Sequence, residues 1–376
     1  MKILHVGKFY SPYKGGMETV LRNLVEGLLD EGLSVRALVS SHDGPQREEM
    51  VAGPVTGRAG LLVRAERIAT VHSQPINPAL PVLLRRQVLE FQPHLVHLHL
   101  PNPLALTVWD IMSRLTPGRM PGLVVWHHAD ITRQKLGASL LHRWKAGVYQ
   151  RCRGVCVSSR SLAEASPHLR GLGSRVQIIP FGIEPQPWRA VQSTFADGFL
   201  FVGRLVQYKG LKVLLEAVAL CGPEVRLTVV GEGPLEEWLL ERLQDAALAE
   251  RVCFRGACSD NDLVDLMAGA TGLILPSLDV SETFGLVQLE AMAAGLPVVA
   301  SRVGGIPGFA TDGQNILFAE PDDVDGLAQR MAGLADDAAL RARLSQQAGH
   351  DVGTGYGWDA VAKRTLEIYE ETTSRS

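Results

Sequence analysis

The sequence predicts an α/β protein of two domains, each built on a parallel sheet flanked by helices. Three observations lead there. Short apolar runs that end at glycine or proline alternate with segments whose apolar residues recur at helical spacing. The chain opens as strand, glycine-ended loop, helix, strand. Its 376 residues, 46% hydrophobic and 20% charged, are enough for two cores of ordinary globular composition.

Met1 to Gly7 reads as an apolar strand and Lys8 to Gly16 (KFYSPYKGG) as a loop. Val20, Leu21, Leu24, Val25 and Leu28 recur at helical period, so Glu18 to Leu29 is a helix, ended by Gly32. Ser34 to Val39 is the next strand. No G-x-G-x-x-G follows the first strand, so Gly15-Gly16 is a turn or a close backbone approach, not a dinucleotide fingerprint. Residues 42–60, rich in glycine, proline and charge, are expected to form a mobile surface loop.

Pro81 to Phe91 is a helix, and His94 to Leu100 (HLVHLHL) is a strand with His97 and His99 on one face. Three histidines at this spacing raise the question of a metal, but no acidic or cysteine ligand accompanies them, so they are expected at a strand end near the site. Leu123 to Trp126 is a strand followed by His127-His128-Ala129-Asp130, and Val155 to Ser158 and Val176 to Ile179 are further strands.

In the second half, Phe199 to Val202 is a strand followed by Gly203-Arg204-Leu205, Lys209-Gly210 and a helix carrying Leu211, Leu214, Leu215 and Val218. A glycine and two cations at a strand-to-helix turn suit a phosphate, which amides and compact positive charge would hold; surface cations at a turn are the plainer reading. Arg226 to Val230 leads to Gly231-Glu232-Gly233-Pro234, and Val252 to Phe254 to Arg255-Gly256. The first suits a nucleotide-lining loop, since it lacks the third glycine of a dinucleotide site. Asp260-Asn261-Asp262 has the form of a cation-holding D-x-D, yet it directly precedes Leu263, Val264 and Leu266, where helix capping explains it better.

Thr271 to Gly305 concentrates the most information. Gly272 to Leu275 is a strand, 277–284 a polar loop, Gly285 to Ala294 a helix ended by Gly295 and Pro297, and Pro297 to Ala300 a strand. Glu282 stands at the helix mouth, and Glu290 sits about two turns further on in an otherwise apolar run. Loops at the carboxyl ends of strands in open α/β sheets are where ligands bind; the alternative is that Glu282 merely favours the positive helix end. Residues 322–348 read as surface helices and Trp358 to Tyr369 as a closing amphipathic helix.

Charge is uneven. Residues 1–185 hold 22 Lys and Arg against 13 Asp and Glu, a net +9; residues 186–376 hold 15 against 27, a net −12. The basic front half, and His142-Arg143-Trp144-Lys145 in particular, suits an anionic membrane surface or a lipid-linked phosphate, or is simply a solvated face. No apolar run is long enough to span a bilayer and no signal pattern opens the chain. Cys152, Cys156, Cys221, Cys253 and Cys258 show no metal pattern, so free buried thiols in a reducing cytoplasm are expected, at most beside the inner face of the membrane. Nothing points to nucleic acid.

The stretch containing Pro276-Ser277, Glu282, Phe284-Gly285-Leu286, Glu290-Ala291-Met292 and Gly295-Leu296-Pro297 resembles the Glu-x7-Glu signature of the retaining glycosyltransferases of family 4, which have the GT-B fold. The Gly203-Arg204-Leu205…Lys209-Gly210 phrase matches too, and FYSPYKGGMETVLRNL resembles enzymes that build bacterial surface polysaccharides. The resemblance implies two Rossmann-like domains across a cleft: 1–184, with the helix of 358–376 packing back on it, for the acceptor, and 185–357 for the nucleotide-sugar. Pro180 to Glu184 resembles the family's interdomain link.

It further implies that Glu282 and the amides of Phe284, Gly285 and Leu286 hold the donor sugar, and Glu290 the ribose. Arg204 and Lys209 would grip the diphosphate and neutralise the leaving group, with Gly15, Gly16, Gly203, Gly231, Gly233 and Arg255 lining the donor site. His127, or His128 in a shifted register, would approach the sugar from the first domain. Asp130, Arg133 and Lys135 would face the acceptor. The reaction implied is metal- and cofactor-free transfer from a nucleotide diphosphate sugar, GDP-mannose first and UDP-sugars next, to a glycan, expected to be lipid-linked. A nucleotide-sugar epimerase of the same fold and a non-catalytic nucleotide-sugar-binding subunit stay open; a dehydrogenase lacks its fingerprint.

Overall fold

The computed structural model describes every residue except 14, 72–73, 130–137, 185–187, 189–197, 283 and 375–376, and only the backbone of 138–142. The chain divides into two compact units, one formed by Met1–Phe181 with Trp358–Ser376 and the other by Gly182–Gly357.

The first unit carries strands β1 (Lys2–Val6), β2 (Ser34–Ser40), β3 (Arg47–Ala52), β4 (Ala59–Ala65), β5 (Ala69–Val71), β6 (Gln74–Ile76), β7 (Leu95–Leu100), β8 (Gly122–His127), β9 (Gly154–Val157) and β10 (Val176–Ile178). Its helices are α1 (Gly16–Asp30), α2 (Leu80–Phe91), α3 (Pro103–Leu115), α4 (Ala138–Gln150) and α5 (Arg160–Ala165). Eight strands form one sheet in the order β10-β9-β8-β7-β1-β2-β4-β3, parallel except for β3. Strands β5 and β6 form a separate two-stranded ribbon.

The second unit has β11 (Phe199–Val202), β12 (Leu227–Val230), β13 (Val252–Phe254), β14 (Gly272–Leu275), β15 (Val298–Ser301) and β16 (Leu317–Ala319), in the order β13-β12-β11-β14-β15-β16, all parallel. Helices α6 (Leu211–Leu220), α7 (Glu236–Arg242), α8 (Ala246–Ala249), α9 (Asp260–Gly269), α10 (Leu286–Ala293), α11 (Val324–Asp336) and α12 (Ala338–Gly355) follow in turn. Both sheets grow outward in two directions from their first strand. The order therefore reverses between β1 and β7 and between β11 and β14, and ligands of such sheets bind at these switch points.

Each unit has its own apolar core. One runs through Leu4, Val6, Leu38, Val96, Leu98, Val125 and Tyr149; the other through Phe199, Phe201, Leu214, Leu227, Ile274 and Val299. The closing helix α13 (Trp358–Ser374) belongs to the first unit. It buries Val361, Ala362, Thr365, Ile368, Tyr369 and Thr372, a stripe at helical spacing, and Ala362 packs so near Gly27 of α1 that a methyl there would lie 2.9 Å from its Cβ.

Four expectations need correction. Residues 42–60 are not a loop throughout: Arg47–Ala52 and Ala59–Ala65 pair as antiparallel β3 and β4. The charges of Arg47, Glu48 and Glu49 mark a sheet edge, where charge discourages further pairing, and Glu49 binds the buried Arg64 at 3.0 Å. His97 and His99 lie within β7, His99 one residue from its end, and both are buried instead of lining an open site. Asp260 is not a cap; Ser259 is, in a capping box closed by Asp262. Cys253 is exposed and Cys258 partly so, although all five thiols are free as expected.

Candidate active site

The β11/β14 switch point collects the groups that sequence had spread over 80 residues. After β11 the chain turns through Gly203 and Arg204, then passes through a single helical turn (Gln207–Lys209) into α6. After β14 it runs through Pro276 and Ser277 to Glu282, then into α10. These loops meet. Lys209 Nζ donates to Glu282 Oε2 at 2.5 Å, and Ser277 Oγ donates to the same oxygen at 2.8 Å. All three residues are buried.

Two glycines make the meeting possible. Gly210 has φ +71°, and a Cβ there would lie 1.8 Å from the Pro276 carbonyl oxygen. Gly304, in the loop after β15, has φ +57° and would set a Cβ 1.6 Å from the Glu282 carbonyl oxygen. Neither glycine, nor Ser277, had been assigned a role from sequence. Glycine-glycine and lysine-glycine phrases were visible, but which backbone they would touch was not.

The predicted glycine loops are neighbours as well. Leu205 N–H donates to Glu232 O at 2.9 Å, and Gly231 N–H to Gly256 O at 2.8 Å, which stitches the ends of β11, β12 and β13 side by side. Gly203, Gly231 and Gly233 therefore border one rim, with Arg204 and Arg255 exposed on it. Arg255 also lines a cavity of about 500 Å³ beside α9, with Thr228, Asp262 and Asp265; neither Glu282 nor Lys209 borders that cavity.

Helix α10 starts at Gly285, in left-handed conformation at φ +74° with no side chain capping it. Its first amides, Leu286 among them, have no partner within the helix, and Phe284 beneath is buried against Phe309. Such an end attracts oxygen ligands carrying negative charge. Glu290 stands in the second turn, mostly buried, with no hydrogen bond or ion pair for its carboxylate among the described residues. Burial pushes its pKa up to about 7, and the nearby Asp260 adds to this.

In the first unit, Gly15 caps the start of α1, and a Cβ on it would strike the Glu18 carboxylate, 2.2 Å from Oε2. Gly16 is open, with nothing within 4 Å of such an atom. Burial raises the Glu18 pKa, while the neighbouring Lys8 opposes the shift. His127 ends β8 fully buried, its Nδ1 2.7 Å from Tyr149 Oη. His128, one residue on, faces the opposite side of the sheet, stacked on Trp126 and bonded to His99. Asp130, Arg133 and Lys135 lie outside the described residues. Of the basic segment in α4, Arg143 is exposed, but Trp144 donates to Asp110 at 2.7 Å and Lys145 is buried beside the Tyr149 ring. Of that segment's described side chains, Arg143 alone is open to solvent.

The family of profiles that describes Glycosyl transferases group 1 matches residues 196–351, and that of Glycosyltransferase Family 4 matches residues 14–187. Together they cover most of both units. The chain belongs to glycosyltransferase family 4. Its architecture is GT-B: Anabaena HepE, solved in complex with UDP, superposes with a TM-score of 0.77 at 20% identity, over 99% of this chain and 100% of that one. A phosphatidyl-myo-inositol mannosyltransferase of Mycobacterium leprae is 28% identical over 95% of this chain and 93% of its own length. A glycogen synthase of Mycobacterium tuberculosis is 29% identical over 65% of this chain, which spans only 59% of that enzyme. Among the described residues of this glycosyltransferase, no helix is long and apolar enough to cross a membrane.

Proposed function

We propose that this family 4 glycosyltransferase moves a hexose, mannose from GDP-mannose in the first instance, onto a lipid-linked glycan with retention of configuration and without a metal ion. The observation that carries the reading is the Lys209–Glu282–Ser277 cluster at the β11/β14 switch point, next to Arg204 and the uncapped start of α10. The whole-length likeness to a mannosyltransferase supports the sugar, and the UDP held by a protein of the same fold supports a nucleotide-linked donor.

The chemistry follows from charge. Lys209 and Glu282 neutralise each other, so Arg204 carries the cluster's excess positive charge toward a diphosphate. An ammonium has three donors, and Lys209 commits one to Glu282, leaving others for phosphate oxygen. Glu282, held by Lys209 and Ser277 on one oxygen, keeps its other oxygen for sugar hydroxyls. As the bond from the anomeric carbon to the phosphate oxygen breaks, charge builds on the diphosphate. Arg204, Lys209 and the amides of Phe284, Gly285 and Leu286 would stabilise it. The departing phosphate then accepts the proton of the acceptor hydroxyl attacking from the same face. Asp262, the one D-x-D carboxylate that the capping box engages, takes bonds from Ser259 N–H and Oγ and serves the helix. Either histidine at the end of β8 could serve the sugar: His127 is held by Tyr149 and His128 by His99.

Binding and slow hydrolysis of GDP- and UDP-sugars, compared between the wild type and Glu282→Ala and Arg204→Ala, test the reading. One donor should bind and turn over, and both substitutions should abolish turnover. Failure of every nucleotide-sugar to bind, or variants that match the wild type, would overturn it.

A further inference from the structure

Beneath the carboxyl end of the first sheet lies an unbroken run of buried polar rings. His128 Nε2 is 3.2 Å from His99 Nδ1, and His99 Nε2 is 3.1 Å from His5 Nδ1. His5 Nε2 is 3.4 Å from Tyr369 Oη, which is 2.5 Å from His97 Nδ1. The four histidines come from β1, β7 and the end of β8, and the tyrosine from the closing helix α13, 364 residues along the chain from His5. Trp126 stacks over His97, His99 and His128. His97 Nε2, at the far end, has no partner although it is buried.

Burial keeps these imidazoles neutral, holding His5 and His128 down at about 3. A neutral imidazole has one N–H and one bare nitrogen, so each contact in the run dictates the direction of the next. Only two complete arrangements exist. If Tyr369 donates to His97, then His5 donates to Tyr369, His99 to His5 and His128 to His99, and His128 Nδ1 is bare. If Tyr369 donates to His5 instead, every bond reverses and His128 Nδ1 carries the proton. The distances choose between them. A 2.5 Å contact suits an O–H donor, and 3.4 Å suits a weaker N–H donor, so the hydroxyl points at His97. Lys8, close enough to disfavour protonation of His128, also favours a lone pair over an N–H on that ring. The blind end at His97 Nε2 means the run cannot deliver protons; it can only orient them.

We propose that His5, His97, His99 and Tyr369 are positioning residues that lock His128 in the neutral Nε2-protonated tautomer, so that its bare Nδ1 is the hydrogen-bond acceptor it offers to a hydroxyl of a bound sugar. The sugar contact rests on the transferase reading above; the tautomer does not. His5, His97 and His99 also offer three nitrogens within 4.8 Å of one another, a spacing that could hold a metal ion. The proton-sharing run is preferred because Tyr369 and His128 join it at hydrogen-bond distances.

Side-chain nitrogen NMR of the full chain with isotope-labelled histidine, at neutral pH and without donor, tests this, with His128 assigned from a His128→Gln sample. The wild type should show His128 as a single Nε2–H tautomer. Tyr369→Phe, which keeps the packed ring but removes the shared oxygen, should turn it into a mixture. Its kcat/KM for the donor should fall about two- to tenfold, the span of one neutral hydrogen bond. An Nδ1–H tautomer in the wild type, an unchanged His128 in Tyr369→Phe, or a stoichiometric metal in the purified protein would overturn the proposal. Should Tyr369→Phe not fold, the wild-type spectrum still decides. A locked tautomer in a protein that binds no nucleotide-sugar would sink the transferase reading and leave the run intact.

Discussion

Replacing Glu290 by Gln should stabilise the protein and weaken its grip on nucleotide at the same time. The carboxyl sits at about 7 instead of 4.5, chiefly through burial and next through Asp260. A raised carboxyl means the folded state takes up a proton before the unfolded chain does, so the charge is a cost above the folded pKa that fades as pH falls toward 4.5. The 2.5-unit difference amounts to about 3 kcal/mol at pH 8, and to under about 1 kcal/mol at pH 5. Glutamine keeps the shape and carries no charge. Urea unfolding of the second unit should therefore show Glu290→Gln more stable than the wild type by up to about 3 kcal/mol at pH 8, the gain shrinking at pH 5. Calorimetry at pH 8 should show weaker nucleotide binding, because a ribose hydroxyl donates more strongly to a carboxylate than to an amide. Equal stabilities at pH 8, or a gain that does not shrink in acid, would refute the argument that burial strains this carboxylate.

Other outcomes follow from the same geometry. Acid should act oppositely on the first unit: His5 and His128 have folded pKa values of about 3 against 6.5 unfolded, so the unfolded chain takes up their protons first. Each should remove about 2 kcal/mol between pH 7 and 5, seen as loss of amide-exchange protection in β1, β7 and β8 but not in β11–β15. Lys209→Met should destabilise the second unit by about 3 kcal/mol by leaving Glu282 buried and unpaired, and adding Glu282→Gln should restore much of it; a purely additive double variant would show that the pair is not coupled. Gly304→Ala should displace the Glu282 loop and abolish donor turnover while the first unit keeps its exchange protection; an active Gly304→Ala would mean the loop has room that the 1.6 Å approach denies.

Most of the second unit was legible because its strands are short, mostly apolar and, apart from the edge strand β13, largely buried. Phe199–Val202, Val252–Phe254 and Gly272–Leu275 coincide with the apolar runs that predict them. A long motif singled out Glu282, Arg204 and Lys209, and the structure brings Lys209 and Glu282 together. What was not legible had a physical reason each time. β3 was hidden because an edge strand carries charge where a buried one carries valine. Ser259 was overlooked as the cap because Asp260 and Asp262 share its chemistry. Trp144 and Lys145 read as a surface patch, yet Asp110 and Tyr149, remote in sequence, draw them inward.

By itself the sequence determined the periodicities, and with them two doubly wound units, the loops at the strand ends, and a family signature centred on Glu282 and Glu290. Those properties are local, since apolar spacing and glycine placement act within a few residues. Only the tertiary structure decided that Lys209 reaches Glu282 across 73 positions, that Gly304 presses on the Glu282 carbonyl, and that Tyr369 completes a run of histidines begun at His5. Contacts of that range come from strand order, which brings distant loops to one sheet edge, and from burial, which turns each polar group toward whatever partner the fold supplies.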